Sequence, residues 1–313
     1  MRASVVGRLA PSPTGALHLG NVRTFMIAWL SARAQKGHVI LRMEDLDHPR
    51  DKKGAAAQAI ADLRWLGFDW DESYTQSQRI SIYAAALKEL LHHQKVYPCV
   101  CSRSDVERAQ SAPHAGEQLY YPGTCRGRFA DWESACRALP EGRLPCWRFV
   151  VEKNAQVAFN DSFSGSYTAD VSATLGDFPL ARHPQGAGYT LASVVDDALM
   201  GVTEVVRGDD LLAATPAQIL IQRALNLPQP TYCHVPLVVG PDGHRLAKRH
   251  GDTRIATYRE AGLPPEAIIG ALAASCDWCA AGESLSLKDL IPRFTLQTIP
   301  HHPFVIDETF LRP

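Results

Sequence analysis

No stretch of the sequence is apolar for long enough to cross a bilayer. The longest apolar runs are short, such as residues 268–274, IIGALAA, against the roughly 20 residues that a spanning helix needs. The opening MRASVVGRLAPSPTGALHLG is broken by Pro-Ser-Pro and has no apolar core of the secretory type. A soluble, cytoplasmic protein is therefore expected. Charge of one sign is missing as well. Lys+Arg total 32 and Asp+Glu 33, a formal net charge of -1, which excludes a globally basic nucleic-acid coat and an acidic disordered tail but not a local basic patch. There is no internal repeat and no low-complexity tract. In an intracellular setting the eight cysteines are not read as disulfides, and 313 residues are enough to build a core without them.

What is present has a rhythm. Residues 3–10 read as a buried strand and 20–35 as a helix, with Val22, Phe25, Met26, Trp29 and Leu30 at helical spacing. Residues 38–43 (HVILRM) read as a second strand, and 54–66 and 78–94 as helices. Alternating strands and helices imply an α/β fold with a parallel sheet, whose ligands sit at the carboxyl ends of the strands. Residues 98–185 lose this rhythm and read as an inserted subdomain with strand-like WRFVV and AQVAF. Residues 186–240 return to apolar strands (YTLASVVDDAL, TEVVRG, YCHVPLVVG) and a helix near 215–225. The division expected is 1–97, 98–185, 186–240 and 241–313, the last a basic loop followed by a mostly helical remainder.

Three motifs carry chemistry. In Pro11-Ser12-Pro13-Thr14-Gly15-Ala16-Leu17-His18-Leu19-Gly20-Asn21, between a strand and a helix, the prolines stop the strand. Gly15 and Gly20 allow close approach of a ligand, and the helix start with His18 offers donors to a phosphate. In His244-Arg245-Leu246-Ala247-Lys248-Arg249-His250-Gly251, cations are available to clamp charge developing on phosphates. Cys99-x-Cys101 with Cys125 places three thiolates in the compact insertion and suggests zinc. The fourth ligand is left open by the spacing, with Tyr120, Tyr121, His114, Cys136 and Cys146 within reach in sequence. Cys276-x-x-Cys279 has no second pair nearby and reads as core packing on an apolar helix.

Taken together and in order, these motifs resemble the class I aminoacyl-tRNA synthetases. His18-Leu19-Gly20-Asn21 looks like the HIGH signature and residues 245–249, RLAKR, like the KMSKS loop. GRLAPSPTGALHLGNVRT (7–24), LRMEDLD (41–47) and YTLASVVDDALMGVTEVVRGDDLL (189–212) are similar to the glutamyl branch, over about residues 5–260. The resemblance implies a Rossmann-type catalytic domain. It also implies ATP as substrate with Mg²⁺, and L-glutamate held by Arg8, Ala10, Ser12, Glu44, Tyr189 and Arg207. Within that set, Arg8, Tyr189 and Arg207 would face the side-chain carboxylate and Glu44 the ammonium. His18, Gly20, Asn21 and Lys248 would meet ATP, with His18 and Lys248 catalytic. One structural zinc would sit on Cys99, Cys101, Tyr121 and Cys125. Asn21 departs from the second histidine of HIGH, and Ala247 from the serine of KMSKS.

Only 64 residues (313 minus 249) follow Arg249, too few for an anticodon-binding domain of about 100 residues. That matches a truncated paralogue within the branch, which esterifies glutamate to queuosine at position 34 of tRNA(Asp). The partner implied is the tRNA(Asp) anticodon stem-loop, met by a monomer. The alternatives are ordinary charging of the 3′ end of tRNA(Glu), a different nucleotidyltransferase, and a catalytically idle tRNA-binding paralogue.

Overall fold

A computed structural model describes residues 4–46, 54–109, 120–182, 188–244, 246, 253–306 and 310–311. The first strand, β1 (Val6–Leu9), leads through the Pro-rich turn into α1 (Leu19–Ala34). Strand β2 (His38–Met43), α2 (Ala55–Trp65), β3 (Glu72–Thr75) and α3 (Ile80–His92) complete the first half. All pairings in the β1-β2-β3 sheet are parallel. Strand β2 is buried along five of its six residues, the near-continuous apolar run that a doubly covered parallel strand requires.

The next segment contains β4 (Val96–Cys99), α4 (Arg103–Ala109), α5 (Trp132–Arg137), β5 (Cys146–Phe149), β6 (Gln156–Asp161), β7 (Gly165–Asp170), α6 (Val171–Thr174) and β8 (Pro179–Ala181). Then follow α7 (Tyr189–Leu199), β9 (Glu204–Gly208), α8 (Thr215–Ala224), β10 (Thr231–Val235) and β11 (Val238–Val239). The described chain ends with α9 (Ile255–Glu260), α10 (Pro265–Ala274), α11 (Leu287–Leu290) and β12 (Phe304–Val305). Strands β4, β5 and β8 form one antiparallel sheet. A second sheet has the order β7-β6-β10-β9, with β10 parallel to both neighbours. Strand β9 lies beside β1, where the Thr203 N–H donates to Val6 O at 2.9 Å. Helices cover both faces. One core packs α1 against α9, α10 and α11; the other gathers α3, α7 and α8.

The structure differs from expectation in three places. Residues 189–199 form a helix, not a strand: Leu191, Ala192, Val194 and Val195 are buried at helical spacing. The segment read as a separate insertion is split, because hairpin β6–β7 joins the sheet of β9 and β10 while β4, β5 and β8 stand apart. The remainder after residue 260 is less helical than expected. Helix α10 ends at Ala274, and Asp277 takes a positive φ of 57°. Cys276 and Cys279 thus lie in a turn. Cys276 is packed in the core, and Cys279 Sγ donates to Gly270 O at 3.3 Å.

Candidate active site

The carboxyl ends of β1, β2 and β9 converge on one cleft of ≈ 560 Å³, where ligands bind in open parallel sheets. Its wall includes Ala10, Ser12, His18, Gly20, Asn21, Glu44, Tyr189 and Arg207. A second cleft shares Ser12, Thr14, Glu44 and Tyr189 with it and continues to Gln76 and Arg182. Of the residues expected at the site, Lys248 lies outside the described residues, as do Arg245, Ala247 and Arg249. Leu246, within the same motif, lines the first cleft.

The end of the cleft at the start of α1 is built by a helix cap. The His18 Nδ1 accepts from the backbone N–H groups of Gly20 (3.2 Å) and Asn21 (3.4 Å), and Asn21 Oδ1 accepts from His18 N at 3.3 Å. This reciprocal pair is a capping box. It gives Asn21 a local reason to replace a histidine, since its amide oxygen holds the turn that carries His18. A Cβ at Gly20 would stand 3.1 Å from the His18 ring, so the glycine keeps room for the imidazole.

The other end is a web of buried charge. Arg42 is fully buried; its Nη1 donates to Asp197 Oδ1 at 2.5 Å and its Nη2 to Glu44 Oε1 at 3.0 Å. Burial opposes the Arg42 charge, but Asp197 and Glu44 outweigh it and hold its pKa above the ordinary value. Arg8 donates through Nη1 to Val206 O at 2.8 Å and stands 3.7 Å from Asp197. Its Nε has no hydrogen-bond partner among the described residues, and burial depresses its pKa. Burial pushes the Glu44 carboxyl up, against the pull of Arg42 and Arg8. All the hydrogen bonds of the Arg207 guanidinium among the described residues go to neutral groups: Nε to His234 Nε2 (3.0 Å), and Nη2 to Thr215 Oγ1 (2.8 Å) and Gln218 Oε1 (2.7 Å). Arg8 and Arg42 thus share Glu44 and Asp197 within one buried set, whereas Arg207 bonds no carboxylate directly among the described residues and is joined to Asp161 only through His234. A buried cation favours an anion beside it, so the cleft wall at Arg207 suits an anionic group.

Tyr189 opens α7 and is 41% exposed. It sits at the mouth of the cleft, not in the core. The preceding Gly188 admits this approach: a Cβ there would lie 2.4 Å from Leu180 O. Arg42 and Asp197 were missed by motif reasoning. The available signal was a charged residue inside an apolar strand, two places from Glu44 and hence on the same face.

The cysteine cluster forms a separate centre. The sulfurs of Cys99, Cys101 and Cys125 all lie within 4.8 Å of one another. Cys101 and Cys125 Sγ are 3.6 Å apart, and Tyr121 Oη lies 3.3 Å from Cys99 Sγ and 3.6 Å from Cys101 Sγ. Donors about 2.0–2.3 Å from a tetrahedral zinc are separated by roughly 3.3–3.8 Å, so this quartet fits the ion. Tyr120 is half-exposed, whereas Tyr121 is buried and accepts from Cys125 N at 2.9 Å. Cys146 faces Cys99 across the β4–β5 pair but falls outside the compact set. His114 lies outside the described residues. The Cys99 contact and burial push the Cys125 thiol up to about 12, so a metal bound there has to displace a tightly held proton. The Arg148 Nε donates to Cys99 Sγ at 3.1 Å, and its guanidinium lies 3.7 Å over the Tyr121 ring. Among the described residues no helix is long and apolar enough to cross a membrane.

Comparison with known proteins places these features in one context. Residues 4–311 match the family model of the catalytic domain of class I tRNA synthetases (E and Q). A glutamyl-Q tRNA(Asp) synthetase of Rhodopirellula baltica is 46% identical, with 98% of each chain covered. Another with that name, from Symbiobacterium thermophilum, is 47% identical over 95% of this chain and 94% of its own. The crystal structure of a glutamate tRNA ligase from Elizabethkingia meningosepticum in complex with its amino acid superposes with a TM-score of 0.80 at 28% identity. It covers 96% of this chain but only 67% of the ligase.

Proposed function

We propose that this chain, which belongs to the class I tRNA synthetases of the glutamate and glutamine type, activates L-glutamate with ATP and transfers it to queuosine at position 34 of tRNA(Asp). The observation that carries this reading is the end-to-end match. Relatives named glutamyl-Q tRNA(Asp) synthetase are 46% and 47% identical and align over nearly their full length, against 28% identity for the ligase structure.

In this reading the α-carboxylate of glutamate attacks the α-phosphorus of Mg²⁺-bound ATP, and pyrophosphate leaves. A queuosine hydroxyl then attacks the mixed anhydride, and AMP leaves. The chain's task is positioning and charge stabilisation. Arg8 and Arg207, with Tyr189 at the mouth, take the side-chain carboxylate. Glu44 takes the ammonium, with Ser12 and the Ala10 backbone closing the pocket. His18, Gly20 and Asn21 present the start of α1 to the phosphates, and Lys248 stabilises the charge that develops there. The anticodon stem-loop of tRNA(Asp) is the macromolecular partner, bound by one copy of the chain. Labelled glutamate given to tRNA(Asp) with and without queuosine tests the acceptor. Label is expected only on queuosine-bearing tRNA, and RNase mapping should place it on the anticodon fragment. Label on the 3′-terminal fragment overturns the reading.

In this reading Cys99, Cys101, Tyr121 and Cys125 would hold one structural zinc, which would tie the end of β4 to the chain at Tyr121 and Cys125. Cys125→Ser is expected to lower zinc content from about one equivalent per chain to well under half after dialysis against a mild chelator. Retention of a full equivalent by elemental analysis would remove Cys125 from the ligand set.

A further inference from the structure

Asp161 ends β6, Arg207 lies in β9, and His234 lies in β10 between them. The strand register makes His234 the direct partner of Arg207 and pairs Tyr232 with Asp161. The three side chains therefore meet beneath the cleft, and Asp161 and His234 are almost fully shielded from solvent. The Asp161 Oδ2 lies 2.6 Å from His234 Nδ1, and Asp161 Oδ1 accepts from the backbone N–H groups of Phe163, Ser164 and His234. A carboxylate is acceptor-only, so His234 carries its proton on Nδ1. Its Nε2 then has a lone pair, and the Arg207 Nε–H donates to it at 3.0 Å; Thr215 Oγ1 also lies 3.1 Å from Nε2, but its own proton goes to Leu211 O at 3.0 Å. Thr215 and Gln218 take the Nη2 edge. Among the described residues Nη1 makes no hydrogen bond, and Arg207 lines the cleft.

We propose that Asp161 and His234 are positioning residues. They fix the imidazole tautomer that accepts from Arg207 Nε and so aim the remaining guanidinium edge at the substrate carboxylate. The inference rests on the reading above that Arg207 binds that carboxylate. Among the described residues nothing else at the site has this construction. Arg42 and Arg8 are set by carboxylates and a carbonyl, whereas Arg207 is set by a neutral ring whose donor pattern depends on a residue one strand away. A neutral acceptor suits the task, since a carboxylate at that place would compete with the substrate.

The decisive variant is Asp161→Asn. Its amide oxygen can keep the backbone donors of Phe163 and Ser164, but its NH₂ faces His234 Nδ1. That moves the imidazole proton to Nε2, where it can donate to Thr215 Oγ1 but no longer accepts from Arg207 Nε–H, which it meets donor to donor. Swapping a carboxylate for an amide beside a histidine is known to keep geometry while selecting the wrong tautomer. Glutamate KM in ATP–pyrophosphate exchange should rise at least tenfold, with kcat and ATP KM within about threefold. In ¹⁵N-histidine spectra the His234 signal, assigned by its loss in His234→Gln, should switch from the Nδ1–H to the Nε2–H pattern. A glutamine Oε1 reaches about where Nε2 lies and has no tautomer to lose. His234→Gln should therefore keep glutamate KM within about threefold, and Asp161→Asn/His234→Gln should recover most of the loss.

An unchanged tautomer in Asp161→Asn overturns the proposal. So does a switched tautomer with unchanged glutamate KM, provided that Arg207→Ala itself raises that KM. If Arg207→Ala leaves KM unmoved, the reading of Arg207 fails first and takes the proposal with it. Should Asp161→Asn not unfold cooperatively, His234→Leu against His234→Gln decides. Only the latter offers an acceptor, so a tenfold higher KM for Leu supports the relay and equal values refute it.

Discussion

Arg207→Ala should raise the glutamate requirement for ATP–pyrophosphate exchange by roughly 30- to 3,000-fold, with a much smaller change in kcat. The magnitude follows from removing one member of a buried, hydrogen-bonded charge pair, about 2–5 kcal/mol, at 1.4 kcal/mol per tenfold. The split follows from distance along the substrate. The side-chain carboxylate is remote from the reacting carboxyl, so its cation contributes to binding the ground and transition states alike, and such a loss appears in KM. Folding should survive, because the hydrogen-bond partners left behind (His234, Thr215 and Gln218) are neutral. Steady-state exchange across a wide glutamate range checks this. Equal losses in kcat and kcat/KM would instead make Arg207 a residue of the transition state.

The largest effect on stability is expected from Arg42→Met. Methionine has a similar length and fills the space, but it leaves Glu44 and Asp197 without the cation that both contact. Breaking a buried ion pair from one side costs about 3–5 kcal/mol. That should appear in urea unfolding as a lower midpoint at nearly unchanged slope. The loss should also depend on pH. Burial already pushes Glu44 up, and the variant lacks a cation that pulls it down. A carboxyl whose folded pKa is raised favours the folded state when protonated. The deficit is therefore smallest in acid and grows as pH rises through the raised folded pKa. A deficit independent of pH between 4 and 8 (roughly the window that a raised carboxylate spans) would show that packing, not charge, is the cause.

The first half of the fold could be read directly because local and tertiary preferences agree there. HVILRM carries Val39, Leu41 and Met43 on one face and Ile40 on the other, and becomes β2 over those same six residues; the Val22-to-Leu30 spacing becomes α1. Residues 189–199 misled because YTLASVVDDAL begins with a run rich in apolar and β-branched residues. The helical spacing of Leu191, Val194 and Val195 is continued by Asp196 and Asp197, whose charge suggests exposure but which are buried through partners distant in sequence: Arg79, Tyr83 and Gln76 for Asp196, Arg42 for Asp197. The site divides the same way. The His18 cap is local and visible in the string ALHLGN. The Arg207 surroundings are not, because Asp161 and His234 are 73 positions apart and only strand register joins them.

The order of the strands has a consequence for anyone who would exchange modules between relatives. The chain lays down β4 and β5 in the cysteine-bearing sheet, crosses to place β6 and β7 in the neighbouring sheet, then returns for β8. The two sheets are stitched. No cassette defined by two cuts can lift out β4, β5 and β8 without carrying β6 and β7 with them. A graft of the cysteine-bearing module is thus also a transplant of the Asp161 strand into the recipient's cleft, and a chimera with well-matched cysteines can still inherit a mismatched floor.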